Sequence, residues 1–242
     1  MDRHLNLVKS GSNQSEKRVF PRFPFSYLVF RHDESDKRSY EVKDISYSGM
    51  RICLKDGHSN LLEGDSVSGE IHWLKNNIQI DGVVKRVDDD SIGIVFNGGR
   101  ESELKLKDFL SVENVAQCLR SIHDYKDQVE IPTNLVCWLR ADGPFEVFVW
   151  THPDGEISRM QVIMMNHFVE WNDGKGLKSG EITSIKNHDS PLVTEEEFEF
   201  LIDPKLDELK LQFASRIVNG VDAEGLDPEV YDFLCRKLGN AS

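Results

Sequence analysis

Two arginines near the start of the chain, Arg18 and Arg22, are spaced for shared contact with one small anionic ligand. A guanidinium group pairs bidentately with phosphate, and it also stacks on the face of an aromatic ring. Because the two side chains are four positions apart, they can reach different parts of such a ligand. Pro21 stiffens the backbone between them and lowers the entropy lost when the segment becomes ordered.

A second group of polar residues follows in the sequence Asp44-Ile-Ser-Tyr-Ser-Gly49. Asp44 can accept hydrogen bonds from N–H groups of a ligand, and Ser46 offers a small donor and acceptor. Gly49 permits a positive φ angle and a close approach of the backbone. Each motif alone has an ordinary alternative, since terminal arginines are usually solvated and Asp-x-Ser-x-x-Gly is often a self-bonded turn. The two motifs together, in this order and among strand signals, favour ligand binding.

The pair of motifs resembles the signature of the PilZ family, Arg-x-x-x-Arg followed by Asp/Asn-x-Ser-x-x-Gly. The resemblance covers about residues 16–124 and includes a closing strand at residues 91–96. It implies a β-barrel that binds cyclic di-GMP. It also implies five residues in contact with the ligand. Two of them, Arg18 and Arg22, would clamp the ligand from an N-terminal arm. The other three would form the floor of the site on the barrel, namely Asp44, Ser46 and Gly49.

Lys17, directly before Arg18, is a further candidate for ligand contact. In the PilZ family the residue at this position is thought to influence whether one cyclic di-GMP or a stacked pair is bound. A cation here would offset part of the phosphate charge of a pair, and an exposed lysine without a ligand contact is the alternative. The sequence leaves open whether the chain binds one or two molecules.

The composition limits the classes of function. The net charge of −13 argues against binding to a nucleic-acid polymer, although a small anionic ligand needs only a few local cations. No apolar run reaches the roughly 18 residues of a membrane-spanning helix, and the N-terminus lacks the apolar segment of a signal peptide. The four cysteines are widely spaced, so we expect reduced, mostly buried thiols and a cytoplasmic protein; they are Cys53, Cys118, Cys137 and Cys235.

Neither a catalytic constellation nor a metal site is evident in the sequence. The eight histidines show no metal-ligand spacing. The segment at residues 173–176 lacks the glycine spacing and the following hydroxyl of a P-loop. The acidic run at residues 88–90 lacks the glycine and glutamate of an EF-hand. We therefore expect a protein without enzymatic activity, metal or cofactor, whose ligand is cyclic di-GMP.

Turn residues divide residues 18–97 into short β-branched and aromatic runs with no helix among them. This pattern predicts a six-stranded antiparallel barrel, with strands at residues 27–31, 41–44, 50–54, 66–74, 78–87 and 91–96. A helix with an apolar face from Val112 to Ile122 should pack on the barrel and complete a domain at residues 18–124. The polar residues 1–17 should form a flexible arm.

Residues 130–242 carry the signals of a separate α+β module behind a polar linker. Strands are expected at residues 134–140, 145–151, 160–171 and 181–185, so the whole chain should be mainly β with some α. Five aromatic residues are expected mostly in the core of this module, namely Trp138, Phe148, Trp150, Phe168 and Trp171. The PilZ resemblance says nothing about this half of the chain.

Capping residues predict helices near the end of the chain. Thr194 and Glu197 match a capping box that would begin a helix through residues 198–202. Asp203 and Asp227 each stand directly before a proline, which is favoured at the first helical position after an N-cap.

The leading hypothesis is a receptor that responds to cyclic di-GMP and signals to a protein partner. The ligand would order the arginine arm on the barrel and change the placement of residues 130–242. A scaffold that needs no ligand is the alternative, and the intact arginine pair counts against it. An enzyme in residues 130–242 lacks any catalytic constellation. The partner stays open, since motility, surface polysaccharide and protein secretion are all compatible with the family.

Overall fold

The computed structural model describes six stretches of the chain, namely residues 23–33, 38–54, 59–125, 131–185, 198–221 and 226–239. These residues divide into two compact units. The first unit contains the described residues of 23–115 together with residues 142–144. The second contains the described residues of 116–141 and 145–239. The chain therefore passes from one unit to the other after residues 115, 141 and 144.

Seven antiparallel strands build the first unit. They are β1 (Phe23–Pro24), β2 (Val29–His32), β3 (Ser39–Ser46), β4 (Gly49–Cys53), β5 (Ser66–Trp73), β6 (Asn76–Val87) and β7 (Ser91–Phe96). The strand order is β1-β3-β2-β5-β6-β7-β4, and β4 also pairs with β3. Strands β2 to β7 therefore close into a six-stranded barrel, and the short β1 adds to it beside β3. The expected barrel is confirmed, with every strand end within two residues of its expected place.

The barrel forms because apolar residues alternate with polar ones along its strands. In β5 the buried positions are Val67, Gly69, Ile71 and Trp73, and the residues between them are half-buried. Side chains on a strand point to opposite faces in turn, so this alternation directs one set inward. The Trp73 ring meets the edge of Phe25 with centroids 5.1 Å apart. The inward set thus supplies a continuous core for the unit.

The helical region after the barrel differs from the expectation. Helix α1 (Arg100–Phe109) and the short helix α2 (Val112–Ala116) follow β7. The expected helix through Ile122 is wrong beyond Ala116, because β8 (Arg120–Ser121) is a strand and Ile122–Tyr125 forms a 3₁₀ turn. Strand β8 pairs with β9 (Leu135–Arg140), so sheet hydrogen bonds replace the helical ones. Apolar spacing alone does not distinguish these two outcomes over so short a run.

A second antiparallel sheet, with the strands in sequence order from β14 to β8, forms the other unit. After β9 come β10 (Phe145–Thr151), β11 (Ile157–Met164), β12 (His167–Asn172), β13 (Gly176–Ile185) and β14 (Phe198–Ile202). The single strand expected at residues 160–171 is wrong, since a turn at Met165 divides it. Met165 adopts a φ of 57°, and methionine is not a residue that signals such a turn.

The ends of the helices in this unit also correct the expectation. Residues 198–202 form β14 instead of a helix, and Thr194 and Glu197 lie outside the described residues. Asp203 does not cap a helix, because its carboxylate accepts hydrogen bonds from Ser179 and Lys210. Helix α3 (Glu208–Asn219) is capped by Asp207 instead. Helix α4 (Pro228–Leu238) begins after Asp227, as expected, and Asp227 accepts from the Glu229 N–H.

Aromatic residues form the core of the second unit on one side of its sheet. Four of the five expected core residues are buried, namely Trp138, Phe148, Trp150 and Phe168. Trp171 is half-buried and meets the Phe233 ring of α4 at 5.0 Å. The expectation that these five residues lie mostly in the core is therefore confirmed, with Trp171 as the exception.

Candidate functional site

The arginine motif ends where the described structure begins. Lys17, Arg18 and Arg22 lie outside the described residues. The residues that directly follow Arg22 form β1, in which Phe23 pairs with Ile45 and Pro24 pairs with Asp44. Strand β1 thus places the chain just after Arg22 against the strand that carries the second motif.

The second motif forms the end of β3, a tight turn and the start of β4. The Ser46 hydroxyl donates to the Gly49 carbonyl at 3.2 Å and accepts from the Ser48 N–H at 3.3 Å. Ser46 is almost fully buried, at 1% exposure. Its side chain therefore holds the turn together in this structure, which is the ordinary role of serine in such a motif.

Gly49 is required by the packing of β4 against β7. A Cβ atom at this position would lie 2.4 Å from the carbonyl oxygen of Ile94, too close for any side chain. The φ angle of Gly49 is not positive, so the tolerance of glycine for that conformation is not used here. The close backbone approach does occur, but the neighbour is strand β7 of the same barrel.

Asp44 forms a close ion pair with Arg51, a residue that the sequence analysis missed. The carboxylate is buried, and its Oδ2 atom accepts from Arg51 Nε at 2.6 Å and lies 2.5 Å from Arg51 Nη2. The two residues face each other across the β3–β4 hairpin. The sequence did contain a signal for this pair. A turn that pairs Ser46 with Gly49 also pairs Asp44 with Arg51.

Comparison with known proteins assigns the first unit. Residues 16–111 match the family model described as PilZ domain. These residues are a PilZ domain. The chain is also similar to a solved structure, "PilZ domain with c-di-GMP of YcgR from Escherichia coli", at 17% identity and a TM-score of 0.37. That similarity covers 47% of this chain and 100% of that chain. No curated protein matches the chain.

Helix α1 adds a cation beside the motif of the PilZ domain. The Lys107 ammonium lies 5.6 Å from the centre of the Tyr47 ring, within the range of a cation–π contact. Lys107 also pairs with Glu103 of the same helix at 2.7 Å. The turn of the motif is therefore supported from the outside by α1.

The PilZ domain also contains a cavity of about 300 Å³ away from the motif. Its lining includes His32, Arg38 and Tyr40; Arg38 directly precedes β3, and Tyr40 lies at the start of that strand. Asp44 and Ser46 lie at the other end of that strand. The motif therefore lies outside this cavity, and Arg51 beside Asp44 is 40% exposed, so the surface around the pair is open.

The remaining chemistry-bearing residues form no further cluster among the described residues. No group of three or more His, Cys, Asp or Glu there could hold a metal ion. All four cysteines are free thiols, and only Cys137 is buried, so the expectation that most are buried is wrong. No helix of the described stretches is long and apolar enough to cross a membrane.

Proposed function

We propose that this protein is a receptor for cyclic di-GMP and that its PilZ domain binds the ligand. The observation that carries this proposal is the complete pair of signature motifs within a segment that matches the PilZ family. Arg18 and Arg22 would bind the phosphates and the guanine edges from the arm. Asp44 would accept from guanine N–H groups, and Ser46 and Gly49 would hold the turn beneath the ligand. Lys17 would add a cation if a stacked pair is bound.

The packing of Asp44 supports a role for strand β1 in coupling the motifs. Pro24 of β1 pairs with Asp44 of β3. An arginine arm that becomes ordered on a ligand would therefore shift β1, which lies beside the Asp44 carboxylate. Ordering the arm costs conformational entropy, which the charge-assisted contacts of the arginines would offset.

We propose further that ligand binding changes the placement of the second unit and so signals to a protein partner. Directly after β1, the Ser26 N–H donates to the Asp142 carbonyl at 2.7 Å. Asp142 is the second residue of the four-residue turn that connects β9 with β10. A shift of the arm would therefore reach the hairpin of the second sheet through a short, hydrogen-bonded path.

Isothermal titration of the full chain with cyclic di-GMP tests the receptor proposal. We expect a dissociation constant on the order of micromolar, about 8 kcal/mol of binding free energy. Arg18→Ala and Arg22→Ala should each weaken binding by about 2 kcal/mol or more and leave unfolding almost unchanged. Arg3→Ala, in the same arm but outside the motif, is the matched control and should bind like the parent. Absence of heat at high ligand excess would overturn the proposal.

A scaffold that needs no ligand is the second candidate. It is favoured by the internal bonds of the motif, because Ser46 holds its own turn and Asp44 already pairs with Arg51. The same titration separates the two candidates, since a scaffold would give no heat with the wild-type chain.

A further inference from the structure

A row of residues crosses the outer surface of the barrel beside the motif. Asp44 of β3 pairs with Arg51 of β4, Arg51 pairs with Gly93 of β7, and Gly93 pairs with Arg86 of β6. The neighbours of this row along the strands, such as Ile45 and Met50, are fully buried in the barrel. Because side chains alternate along a strand, the side chains of the row point away from the core.

Arg51 is fixed in place and still has donors to offer. A guanidinium group carries five N–H donors in a rigid plane. In Arg51, Nε and Nη2 are engaged by the Asp44 carboxylate, while 40% of the side chain is exposed. An arginine held in this way loses little rotamer freedom when it binds a further partner, so its contact would be strong for a surface residue.

The surface next to Arg51 is open because Gly93 has no side chain. Among the described residues, a Cβ atom built on Gly93 would meet only Arg86, at 3.7 Å or more. Arg86 is itself 75% exposed and pairs with Asp88 at 2.7 Å. The spacing of neighbouring strands puts the backbones of Arg51 and Arg86 about 10 Å apart. A flat group can therefore lie on Gly93 with its edge against Arg51.

We propose that Arg51 contacts the bound nucleotide and determines its specificity by reading the O6 and N7 edge of one guanine. This inference rests on the proposed binding of cyclic di-GMP. Guanine presents N–H donors on one side of O6 and the N7 acceptor on the other. A carboxylate and a guanidinium held side by side present the complementary order, acceptors at Asp44 and donors at Arg51. Adenine has an amino donor where guanine has O6, so it would meet the donors of Arg51 unfavourably.

The experiment measures the affinity of the full chain for cyclic di-GMP and for its analogue with 7-deazaguanine bases, which lacks the N7 acceptor. In the wild type the analogue should bind about tenfold more weakly, since one bidentate base contact is worth about 1–3 kcal/mol. Arg51→Ala should bind cyclic di-GMP at least about tenfold more weakly and should distinguish the analogue from the parent ligand less well than the wild type does. Arg51→Lys keeps a cation beside Asp44 but lacks the planar fork, so its preference for the parent ligand should fall too.

Arg86→Ala is the matched control, because it removes an arginine from the same row two strands away. It should keep the preference for the parent ligand over the analogue. If Arg51→Ala weakens both ligands but keeps their ratio, Arg51 only positions Asp44 and the inference is overturned. Unchanged binding by Arg51→Ala also overturns it, while leaving the receptor proposal intact. A wild-type chain that binds no cyclic di-GMP defeats the receptor proposal itself, and this inference with it.

Discussion

Two glycines on neighbouring strands show how differently a missing side chain can act. Gly49 allows β4 to approach β7, and a Cβ there would lie 2.4 Å from the Ile94 carbonyl oxygen. Gly93, on β7, has room for a Cβ, whose nearest neighbour would be 3.7 Å away. Both glycines lie in regular strands, so backbone conformation does not separate them. Steric contact alone makes Gly49 the residue on which the shape of the motif depends.

Gly49→Ala should therefore lower the free energy of unfolding of the chain by about 2 kcal/mol or more, because the neighbouring strand must move to admit the methyl group. The matched substitution Gly93→Ala should change it by less than about 0.5 kcal/mol. Urea titration of both variants, followed by circular dichroism, measures the difference. Equal stability of the two variants would contradict the tight contact at Gly49.

Glu146 is a buried carboxyl group whose protonation should control the stability of the second unit. Burial raises the pKa of Glu146 to about 7, although the nearby Arg140 guanidinium, with its Nε 3.6 Å from the carboxylate, offsets part of the shift. Between the ordinary value of 4.5 and about 7, the folded chain holds a proton that the unfolded chain has released. Stability from this group is thus present at low pH and falls as the pH rises through that window.

Glu146→Gln should remove this decline, because an amide does not ionise. We expect the wild-type chain to lose up to about 3 kcal/mol between pH 5 and pH 8 through this one group, and the variant to lose that much less. Urea titrations at the two pH values measure the change. Glu156→Gln, in an exposed turn, is the control and should follow the wild type. An equal decline in Glu146→Gln would show that the Glu146 carboxyl group ionises as readily in the folded chain as in the unfolded chain.

At the scale of elements, prediction from sequence was accurate where local pattern and tertiary pairing agree. The barrel strands combine alternating burial with turn residues at both ends, and all six were predicted. The segment after Ala116 has helical spacing, yet β8 pairs with β9 and the sheet determines its conformation. The turn at Met165 lacks glycine and proline, and its one turn residue, Asn166, stands alone within an apolar run. A tertiary contact that no local pattern records explains the first of these errors, and a single weak turn signal explains the second.

The residues of the candidate site were likewise predicted where a local motif contains them and missed where their contacts depend on tertiary pairing. Asp44, Ser46 and Gly49 were found because a short motif contains them within one turn. Arg51 was not found, because its contact with Asp44 depends on hairpin register, which the motif does not state. The strand that approaches Gly49 was not evident from the motif either. The need for glycine there arises from a strand more than forty residues away in the sequence.

The N-terminus of α4 supplies a prediction at this scale. Asp227 accepts from the Glu229 N–H at 2.8 Å and precedes a proline at the first helical position. Asp227→Ala should lower the free energy of unfolding by about 1 kcal/mol, since a helix N–H loses its acceptor. Asp227→Asn keeps an N-cap oxygen and should lose much less. Amide exchange in the first turn of α4 should quicken in Asp227→Ala and stay slow in Asp227→Asn, and equal exchange would contradict the cap.

At the scale of the whole molecule, the path of the chain is the main feature. The division into domains at residues 18–124 and 130–242 stays a proposal, and residues 116–125 group with the second sheet in the structure. Strand β8 belongs to that sheet, and the buried Ile122 belongs to the core packed on it. We propose that an expressed fragment of the second unit should begin at residue 116, so that it keeps both.

The turn between β9 and β10 belongs to the first unit although both of its strands belong to the second. Its key contact joins Asp142 to Trp73, whose indole N–H donates to Asp142 Oδ2 at 3.0 Å. Both residues are buried, with 1% of Trp73 and 3% of Asp142 exposed. A Cβ on Gly143 would lie 2.9 Å from the Phe25 ring, so the turn is also closely packed.

Asp142→Ala should therefore destabilise the barrel, because a buried indole N–H loses its acceptor. We expect a loss of about 2 kcal/mol in the free energy of unfolding, within the usual range for an unsatisfied buried donor. Asp142→Asn keeps an acceptor oxygen and should retain most of the stability. Asp154→Ala, in the exposed turn between β10 and β11, is the control for altering a turn aspartate of the same sheet. Amide exchange of β5, the strand of Trp73, should quicken in Asp142→Ala and in neither other variant. Unchanged exchange in β5 would show that the barrel does not depend on the contact between Asp142 and Trp73.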